Sequence, residues 1–397
     1  MAKDFDPDFP LAGLSVLELA HGVAAPGAGA LLAAYGADVV KVEDKEGDWS
    51  RHLGQAHEGV SPIFLANNRG KRSLALDLRN DAARDILGRL AARADVLIQN
   101  FRPGILGRLG LDAESLQAAN PALVYASLTG FGEEGPYRDR AATDSIVQAI
   151  SGLIDLNRGG DGAPHLLPIP VIDLATALNL FQAIVMALFV REKTGRGRRI
   201  EASLLETAAW LQAGGLAEHV ATEGKPTNLA APRAVVSTKD GRLAVVALDV
   251  GQFAKLCGAM KREDLLEDPR FASASARMAN EAALLKVLQT AFAAKPTGEW
   301  VKALSAADVL FAPVNDFEAF LADPQVAARR LFASVAQPGM GRVPLPHVMG
   351  AKVFADGDGG LCAPGLGQHS RQVLDEIGFD GDAIERFLAE GVVKVRV

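Results

Sequence analysis

The sequence predicts an α/β protein of two domains, the larger built on a doubly wound, mainly parallel sheet and the smaller on a second α/β core. Residues 13–190 alternate short β-branched runs with helical stretches, which is the pattern of βαβ units. The chain has 397 residues, whereas a single hydrophobic core stops growing at roughly 250–300 residues. The predicted domains are residues 1–220 with 331–397 and residues 234–330, joined by a linker rich in glycine, proline, threonine and asparagine at residues 221–233.

The first domain is predicted to have a Rossmann-like order of strands and helices. Its clear strands are residues 15–19, 39–43, 95–99 and 123–127, and a weaker candidate is residues 73–76. Helices are predicted between them at residues 27–35 and 82–94. Gly36 closes the first helix as a left-handed cap. Asn80 or Asp81 opens the second, because a side-chain oxygen there accepts a hydrogen bond from a free helix N–H group.

The apolar run at residues 174–190 is predicted to be a buried helix. Thr176, Asn179 and Gln182 interrupt it. It is also shorter than the roughly 20 apolar residues that a membrane span needs. The large aromatic side chains predicted to lie in the core are Phe64, Trp210 and Trp300.

A hairpin is predicted to begin the second domain. Residues 234–238 and 242–248 are strand-like runs on either side of Asp240-Gly241, a pair that supplies the positive φ angles of a tight turn. A helix at residues 281–292 and a strand at residues 309–314 follow. The tail of the chain is predicted to return to the first domain.

Charge, cysteine content and the N-terminus together predict a protein of the reducing cytoplasm. The formal net charge is −7 with acidic and basic residues interleaved, which predicts no affinity for nucleic acid or for membranes. Cys257 and Cys362 lie far apart without a CxxC or Cys/His cluster, which argues against a disulfide scaffold or a zinc site. The first residues lack both the apolar core of a secretory signal and the pattern of a transit peptide.

Small and hydrogen-bonding residues follow several of the predicted strands. Residues 21–26, 100–104 and 129–132 each come after a strand, and Glu43 ends another. In open α/β sheets the ligand binds in the crevice beyond the carboxyl ends of the strands. The sequence therefore predicts a ligand site at this edge, where an acidic protein must hold cations locally if the ligand is an anion.

Six motifs, in order along the chain, resemble those of one enzyme family. They are residues 36–43 (GADVVKVE), 68–73 (NRGKRS), 100–104 (NFRPG), 120–125 (NPALVY), 148–152 (QAISG) and 193–197 (KTGRG). With these motifs the chain resembles, over nearly its whole length, the class III coenzyme A transferases, the family of formyl-CoA and carnitine CoA transferases and of the related α-methylacyl-CoA racemases. The resemblance implies coenzyme A carried as an acyl-CoA donor, a small carboxylic acid as acceptor, no metal, and an interlocked homodimer.

Asp173 occupies the position of the family's aspartate nucleophile, before a long apolar helix that ends in the KTGRG motif. From the local pattern alone, an aspartate here is a helix N-cap, which contributes about 1 kcal/mol. The two roles are compatible, because the positive end of a helix keeps a carboxylate ionised. The resemblance implies transfer through an aspartyl mixed anhydride and an aspartyl-CoA thioester, with neither ATP nor a metal.

The resemblance also implies coenzyme A contacts at the strand ends. The loop at residues 22–24 contacts the coenzyme, and Arg108 contacts its phosphates. Cations in or beside the motifs are candidates for phosphate binding, although a surface arginine or lysine is by default solvated. The predicted CoA-binding residues are Gly22, Val23, Ala24, Lys71, Arg72, Asn100, Phe101, Arg102, Arg108 and Arg140, with Lys41 and Arg69 as further cations. His21, in the first strand-end loop, contacts substrate or caps a turn.

Three other functions compete with CoA transfer, and the residues argue against the first two. Racemisation needs an acid–base pair, but Thr143-Asp144 stands where the racemase branch has His-Asp. A dinucleotide-dependent oxidoreductase shares the order of strand, glycine-rich loop, helix, strand and Glu43, but Leu32 occupies the place of the third small residue of that fingerprint. A CoA-binding protein without catalysis is the third, because the residues flanking Asp173 depart from the family pattern.

Overall fold

The computed structural model describes residues 6–159, 162–224, 230–355, 357 and 361–395. The chain forms two compact units, a large unit of Met1–Ala213 with Leu331–Val397 and a small unit of Gly214–Arg330. The division after Arg330 coincides with the predicted one, whereas the division after Ala213 precedes the predicted linker. Part of that linker, residues 225–229, lies outside the described residues.

The helices and strands alternate along the large unit as the sequence predicts. The strands are β1 (Ser15–Leu19), β2 (Asp38–Glu43), β3 (Arg72–Leu76), β4 (Val96–Gln99), β5 (Val124–Thr129), β6 (Arg199–Ser203), β7 (Arg233–Ser237), β8 (Arg242–Val246), β9 (Leu310–Pro313), β10 (Phe332–Gln337), β11 (Gly341–Pro346) and β12 (Val393–Lys394). The helices up to the end of the first segment of the large unit are α1 (Ala24–Ala34), α2 (Pro62–Asn68), α3 (Asp81–Arg93), α4 (Ile105–Arg108), α5 (Ala113–Ala119), α6 (Asp144–Ile150), α7 (Leu153–Leu156), α8 (Val171–Thr194) and α9 (Leu204–Leu211). The later helices are α10 (Ala213–Ala221), α11 (Val250–Met260), α12 (Asp264–Glu267), α13 (Ala274–Ala279), α14 (Glu281–Phe292), α15 (Thr297–Ala306), α16 (Phe317–Leu321), α17 (Pro324–Arg329), α18 (Ser370–Glu376) and α19 (Gly381–Ala389).

The predicted parallel sheet is confirmed. Among the described residues, seven strands of the large unit form one sheet in the order β12-β3-β2-β1-β4-β5-β6. Every neighbouring pair is parallel except β12 with β3. The predicted strands correspond to β1 to β5, while β6, the β10–β11 hairpin and β12 were not predicted.

Helices cover both faces of this sheet, which makes it doubly wound. Alternate residues of β1 show the two layers, because Val16 packs into one core and Leu17 into the other. Helices α1 and α8 contribute to the first core, and α3, α18 and α19 to the second. Each leucine or isoleucine that these cores bury completely contributes roughly 1.5–3 kcal/mol.

The prediction of a buried helix at residues 174–190 is only partly correct. One side of α8 is buried, including Ile172, Leu180 and Ile184. The opposite side leaves large apolar side chains exposed, among them Leu178 at 58% and Phe189 at 56%. By length and composition the helix could cross a membrane, with a mean hydropathy of 1.8, but core helices of soluble proteins pass the same test.

The placement of Trp210 in the core is wrong, because its side chain is 69% exposed. Phe64 and Trp300 are buried as predicted. Trp210 lies on α9, a helix that contacts α8. The large unit therefore has exposed apolar side chains on two neighbouring helices.

The small unit is an antiparallel sheet covered by helices. Strand β8 pairs with β7 and with β9, and the apolar faces of α11, α14 and α15 pack around a core that includes Trp300. The predicted hairpin is present at Arg233–Ser237 and Arg242–Val246. Asp240, in its turn, accepts a hydrogen bond of 2.7 Å from the N–H of Thr297 and so ties the turn to α15.

Candidate active site

A cleft opens at the carboxyl ends of β1, β4 and β5. The sheet continues from β1 to β2 on one side and to β4 on the other, so a topological switch point lies beside β1. The cleft has a volume of about 320 Å³ and lies within the large unit. Its lining includes residues 21–24, 100–103, 128–130 and 140–143 with Trp49, Arg138, Asp173 and Leu204. The edge that the sequence predicts for a ligand therefore carries a cavity.

The loop after β1 reaches the cleft in a conformation that requires glycine. Gly22 has a φ of +88°, and a Cβ atom there would lie 2.8 Å from the Trp49 ring. The Gly22 N–H donates to the two carboxylate oxygens of Asp48, at 3.0 and 3.2 Å. Asp48 also begins the 3₁₀ turn Trp49–His52. One buried carboxylate thus positions both Gly22 and Trp49.

Asn100 joins the first two cleft loops. Its Oδ1 accepts from the N–H of His21 at 3.1 Å, and its Nδ2 donates to the carbonyl of His21 at 2.7 Å. The rings of His21 and Phe101 meet edge to face at 5.8 Å. Burial lowers the pKa of His21. The structure therefore brings His21, Asn100 and Phe101 to the cleft together, and the neutral imidazole is favoured there.

Lys41 and Lys71, predicted as phosphate-binding cations, do not line the cleft. Both are fully buried and hold Glu18 between them, with Nζ–Oε distances of 3.1 Å for Lys41 and 2.7 Å for Lys71. Lys41 also lies 2.9 Å from Asp48. Burial lowers the pKa of Lys71 to about 8 although Glu18 opposes this shift. These two lysines form a buried ion cluster beneath the cleft loops, which corrects the sequence-based placement.

Three other predicted cations also lie away from the cleft. Arg72 begins β3 at the amino edge of the sheet, where it pairs with Asp38 and with Glu376. Arg69 donates to the carbonyl of Pro346 at 2.7 Å. Arg108 ends α4 on the surface and is not part of the cleft lining. The structure does not bring these three arginines to the cavity.

Two predicted arginines, and one that the sequence did not single out, line the cleft. These are Arg102, Arg140 and the unpredicted Arg138. The guanidinium of Arg140 lies 5.2 Å from the ring centre of Tyr137 and 5.9 Å from that of Phe131. Arg138 is half exposed and lies 3.7 Å from Asp139. The cleft wall is therefore cationic on an otherwise acidic protein, which suits an anionic ligand.

Asp173 lines the cleft from the first turn of α8, but it is not the N-cap. That position belongs to Pro170, which has no capping side chain. Among the described residues, no hydrogen bond or ion pair reaches the Asp173 carboxyl group. Burial first, and then the charge of Asp144, raise the pKa of Asp173 to about 7. Burial and Asp144 thus act against the ionising effect that the sequence predicts for the start of the helix.

Asp144 provides the missing cap from another helix. Its Oδ2 accepts from the N–H groups of Ile172 at 2.8 Å and of Asp173 at 3.0 Å. Its Oδ1 accepts from the side chain of Gln148, one turn further along α6. The sequence placed Gln148 in a motif and Asp144 a few residues before it. The local pattern did not show that Asp144 contacts Asp173, which lies 29 residues further along the chain.

The described residues contain no group of three or more histidine, cysteine, aspartate or glutamate side chains able to hold a metal ion. Glu43, which a dinucleotide site would use for a ribose, instead binds Arg51 at 2.6 Å and the Ser73 hydroxyl at 2.7 Å. Glu43 is buried, and its hydrogen bonds to Arg51 and Ser73 take the place of those that a ribose would make.

Comparison with known proteins defines the class. Residues 11–370 match the model of CoA-transferase family III. The chain belongs to this family and is a transferase that acts on coenzyme A thioesters. The sequence and the fold are thus those of a CoA-transferase.

Several relatives match almost the whole chain. A succinate–glutarate CoA-transferase of Agrobacterium fabrum is 34% identical and covers 95% of this chain and 97% of its own length. An acyl-CoA transferase of Fusarium pseudograminearum is 35% identical over 96% of this chain and 88% of its own. The crystal structure of a CAIB/BAIF family protein from Brucella suis matches with a TM-score of 0.82 and 36% identity, covering 93% of this chain and 99% of that one.

Proposed function

We propose that the protein moves coenzyme A from an acyl-CoA donor to a small carboxylic acid through covalent intermediates on Asp173. The observation that carries this proposal is the Asp173 carboxyl group itself. It lines the cleft with no partner among the described residues, and loops that hold cationic side chains line the same cleft. A carboxylate without hydrogen bonds or counter-charges keeps its lone pairs available for attack on a thioester.

The donor half of the reaction begins when Asp173 attacks the thioester carbonyl carbon. The carbon–sulfur bond breaks, coenzyme A leaves as a thiolate, and an acyl-aspartyl mixed anhydride forms. The thiolate then attacks the aspartyl carbonyl and breaks the anhydride carbon–oxygen bond. The donor acid leaves as a carboxylate, and Asp173 carries coenzyme A as a thioester.

The acceptor half reverses these steps with a new acid. The acceptor carboxylate attacks the aspartyl carbonyl, which expels the thiolate and forms a second mixed anhydride. The thiolate attacks the acceptor acyl carbon and releases the Asp173 carboxylate. One thioester replaces another, so the free energies of reactants and products are close. The exchange therefore requires neither ATP nor a metal ion.

The cationic wall supports an anionic ligand in this cleft. Arg102, Arg138 and Arg140 offer planar guanidinium groups to the coenzyme phosphates or to a substrate carboxylate. Relatives are named for succinate and glutarate and for oxalate. We therefore propose that the acid exchanged is a dicarboxylate, whose second carboxylate meets one of these arginines.

The exposed apolar side of the large unit supports the proposed homodimer. Leu178, Phe189 and Trp210 are each more than half exposed on α8 and α9, and exposed apolar patches of this kind mark association surfaces. The interlocked arrangement implied by the family and the cytoplasmic location stay predictions. Sedimentation of the purified protein tests the dimer.

Racemisation receives no support from the site. Thr143 stands where that branch has a histidine, and a hydroxyl does not abstract a proton from carbon at neutral pH. Asp144, the other half of the pair, has both oxygens occupied as acceptors of three hydrogen bonds. Neither side chain is therefore free to serve as the base.

The proposed function is tested by the mass of the protein after mixing with succinyl-CoA alone. We expect an adduct on wild type that maps to the Asp173 peptide, and hydroxylamine is expected to convert it to a hydroxamate. Asp155→Asn, which changes an exposed carboxylate on α7, should form the same adduct. Succinyl-CoA consumption coupled to transfer, with no labelled Asp173 peptide at any time, would reject the covalent route.

A further inference from the structure

The starts of α6 and α8 meet at one side chain. Asp144 is the first residue of α6, is 6% exposed, and is the capping partner of Ile172 and Asp173 on α8. Four N–H groups at the start of a helix have no partner within it. The Val171 N–H donates to the Ile169 carbonyl at 2.8 Å, so Asp144 satisfies the next two N–H groups. Without Asp144 these two N–H groups would have no protein acceptor.

Gln148 holds Asp144 in place. Its side-chain N–H₂ donates to Asp144 Oδ1, and its Oε1 accepts from the N–H of Leu167 at 3.0 Å. Gln148 is 1% exposed, so this contact is shielded from water. The segment that leads into α8, the first turn of α8 and the first turn of α6 are thereby joined by one buried pair of side chains.

The same carboxylate lies beside the Asp173 carboxyl group. Both Asp144 oxygens act only as acceptors, which is the hydrogen-bonding pattern of an ionised carboxylate. A like charge beside a half-buried carboxyl group favours its protonated form, and burial acts in the same direction. No other charged side chain perturbs Asp173 among the described residues. The nucleophile is therefore fully charged only above neutral pH.

From this geometry we infer that Asp144 is a positioning residue for the transferase reaction: it fixes the backbone of the nucleophile through two N–H groups, and its charge adds to the effect of burial in setting the pH range in which Asp173 attacks the thioester. The inference rests on the proposed function of Asp173. It assigns to Asp144 two separable effects, one geometric and one electrostatic. A structural cap alone would have only the first.

Two substitutions separate the effects. Asp144→Asn keeps an oxygen acceptor for the α8 N–H groups and removes the charge. We expect the rising limb of the kcat/KM profile against pH, centred near the Asp173 pKa of about 7 in wild type, to move to lower pH by about one unit. Asp144→Glu keeps the charge and displaces the acceptor, so its limb should stay near that of wild type while kcat falls by on the order of tenfold. Asp155→Asn is the charge-matched control and should change neither.

A readout independent of turnover separates this inference from the proposed function. The Asp173 carboxyl carbon is titrated by NMR in protein labelled with ¹³C-aspartate, and its signal is assigned by its loss in Asp173→Asn. A lower titration midpoint in Asp144→Asn than in wild type supports the inference even if no transfer is found. Unchanged midpoints and unchanged pH profiles in folded Asp144→Asn overturn it. If Asp144→Asn does not fold, the test uses Asp144→Glu, which keeps the charge. A rising limb of its kcat/KM profile that moves to lower pH also overturns the inference.

Discussion

Two aspartates at the same edge of the sheet, the buried Asp48 and the half-buried Asp173, have opposite electrostatic environments. Burial alone would raise the pKa of Asp48, but Lys41 and the N–H groups of Ser50 and Gly22 lower it. Asp173 has no such partner among the described residues, so burial and Asp144 raise its pKa to about 7. The difference shows that pairing, not depth, decides whether a carboxylate here serves structure or chemistry.

The two sites also depend on pH with opposite signs. An aspartate whose pKa is lowered by folding, as for Asp48, contributes stability above its unfolded pKa of about 3.9, and the contribution is lost as pH falls through the folded value. An aspartate with a raised pKa, as for Asp173, contributes stability at low pH that is lost as pH rises through about 7. The paired site stabilises the folded large unit at neutral pH, while the unpaired site weakens it.

The largest expected effect comes from replacing Asp173, the aspartate without a partner among the described residues. Asp173→Asn removes the proposed nucleophile and should lower kcat for transfer by on the order of 10³-fold or more, because the neighbouring carboxylate, Asp144, is already engaged in three hydrogen bonds. Steady-state assays with succinyl-CoA and glutarate measure this loss. Transfer at more than a tenth of the wild-type rate would show that Asp173 is not the nucleophile.

The stability of the same variant shows whether it folds. Folding raises the pKa of Asp173, so the ionised carboxylate destabilises the folded protein at high pH, and Asn cannot ionise. The free energy of unfolding of Asp173→Asn should therefore exceed that of wild type at pH 8 and approach it at pH 4. Urea unfolding at the two pH values measures the difference. A variant less stable than wild type at pH 8 would mean that the Asp173 carboxylate has a stabilising partner.

Breaking the paired site should have the next largest effect, on stability rather than on chemistry. Lys41→Met leaves Glu18 with one counter-charge fewer and Asp48 without its cation, so we expect a loss of about 3–5 kcal/mol in the free energy of unfolding. Lys45→Met is the matched control. Lys45 binds Asp77 near the surface at 2.8 Å, and such pairs contribute about 0–1 kcal/mol. Equal losses in both variants would contradict the contrast between buried and exposed pairs.

The smallest expected effect concerns a buried hydroxyl group on α8. Among the described residues, the hydroxyl of Thr176 is buried and makes no hydrogen bond. It lies one turn after Asp173 on α8. Thr176→Val replaces it with a methyl group of similar shape and should raise the free energy of unfolding by about 1 kcal/mol, with transfer unchanged. Thr176→Ser keeps the hydroxyl as the control, and a destabilised valine variant would reveal a partner.

The elements of the sheet could be predicted because each depends on local pattern. Strands β1 to β5 and helices α1 and α3 lie close to their predicted bounds, since β-branched runs and caps such as Asn80 act over a few residues. Strand β6 and the β10–β11 hairpin were missed. Strand β6 is short and charged, and its pairing with β5 decides its conformation.

The candidate site was predicted in part. Asp173, Asn100, Phe101, Arg102 and the loop at residues 22–24 line one cleft as motif positions suggested. The motif cations were poorer guides, because a lysine next to a strand end has the same pattern whether it faces solvent or a buried glutamate. Lys41 and Lys71 illustrate the second case.

By itself the sequence determined the fold class and the order of the first five strands, which follow from periodicity and capping residues whose physical causes act within a few residues. Asp173 was singled out by the resemblance of its surrounding motifs to one family, because the local pattern alone predicts an N-cap there. Only the tertiary structure decided which charges are paired. Asp144 reaches α8 across 29 residues and Lys71 reaches Glu18 across 53, because packing brings their elements together and burial then strengthens every charge contact that results.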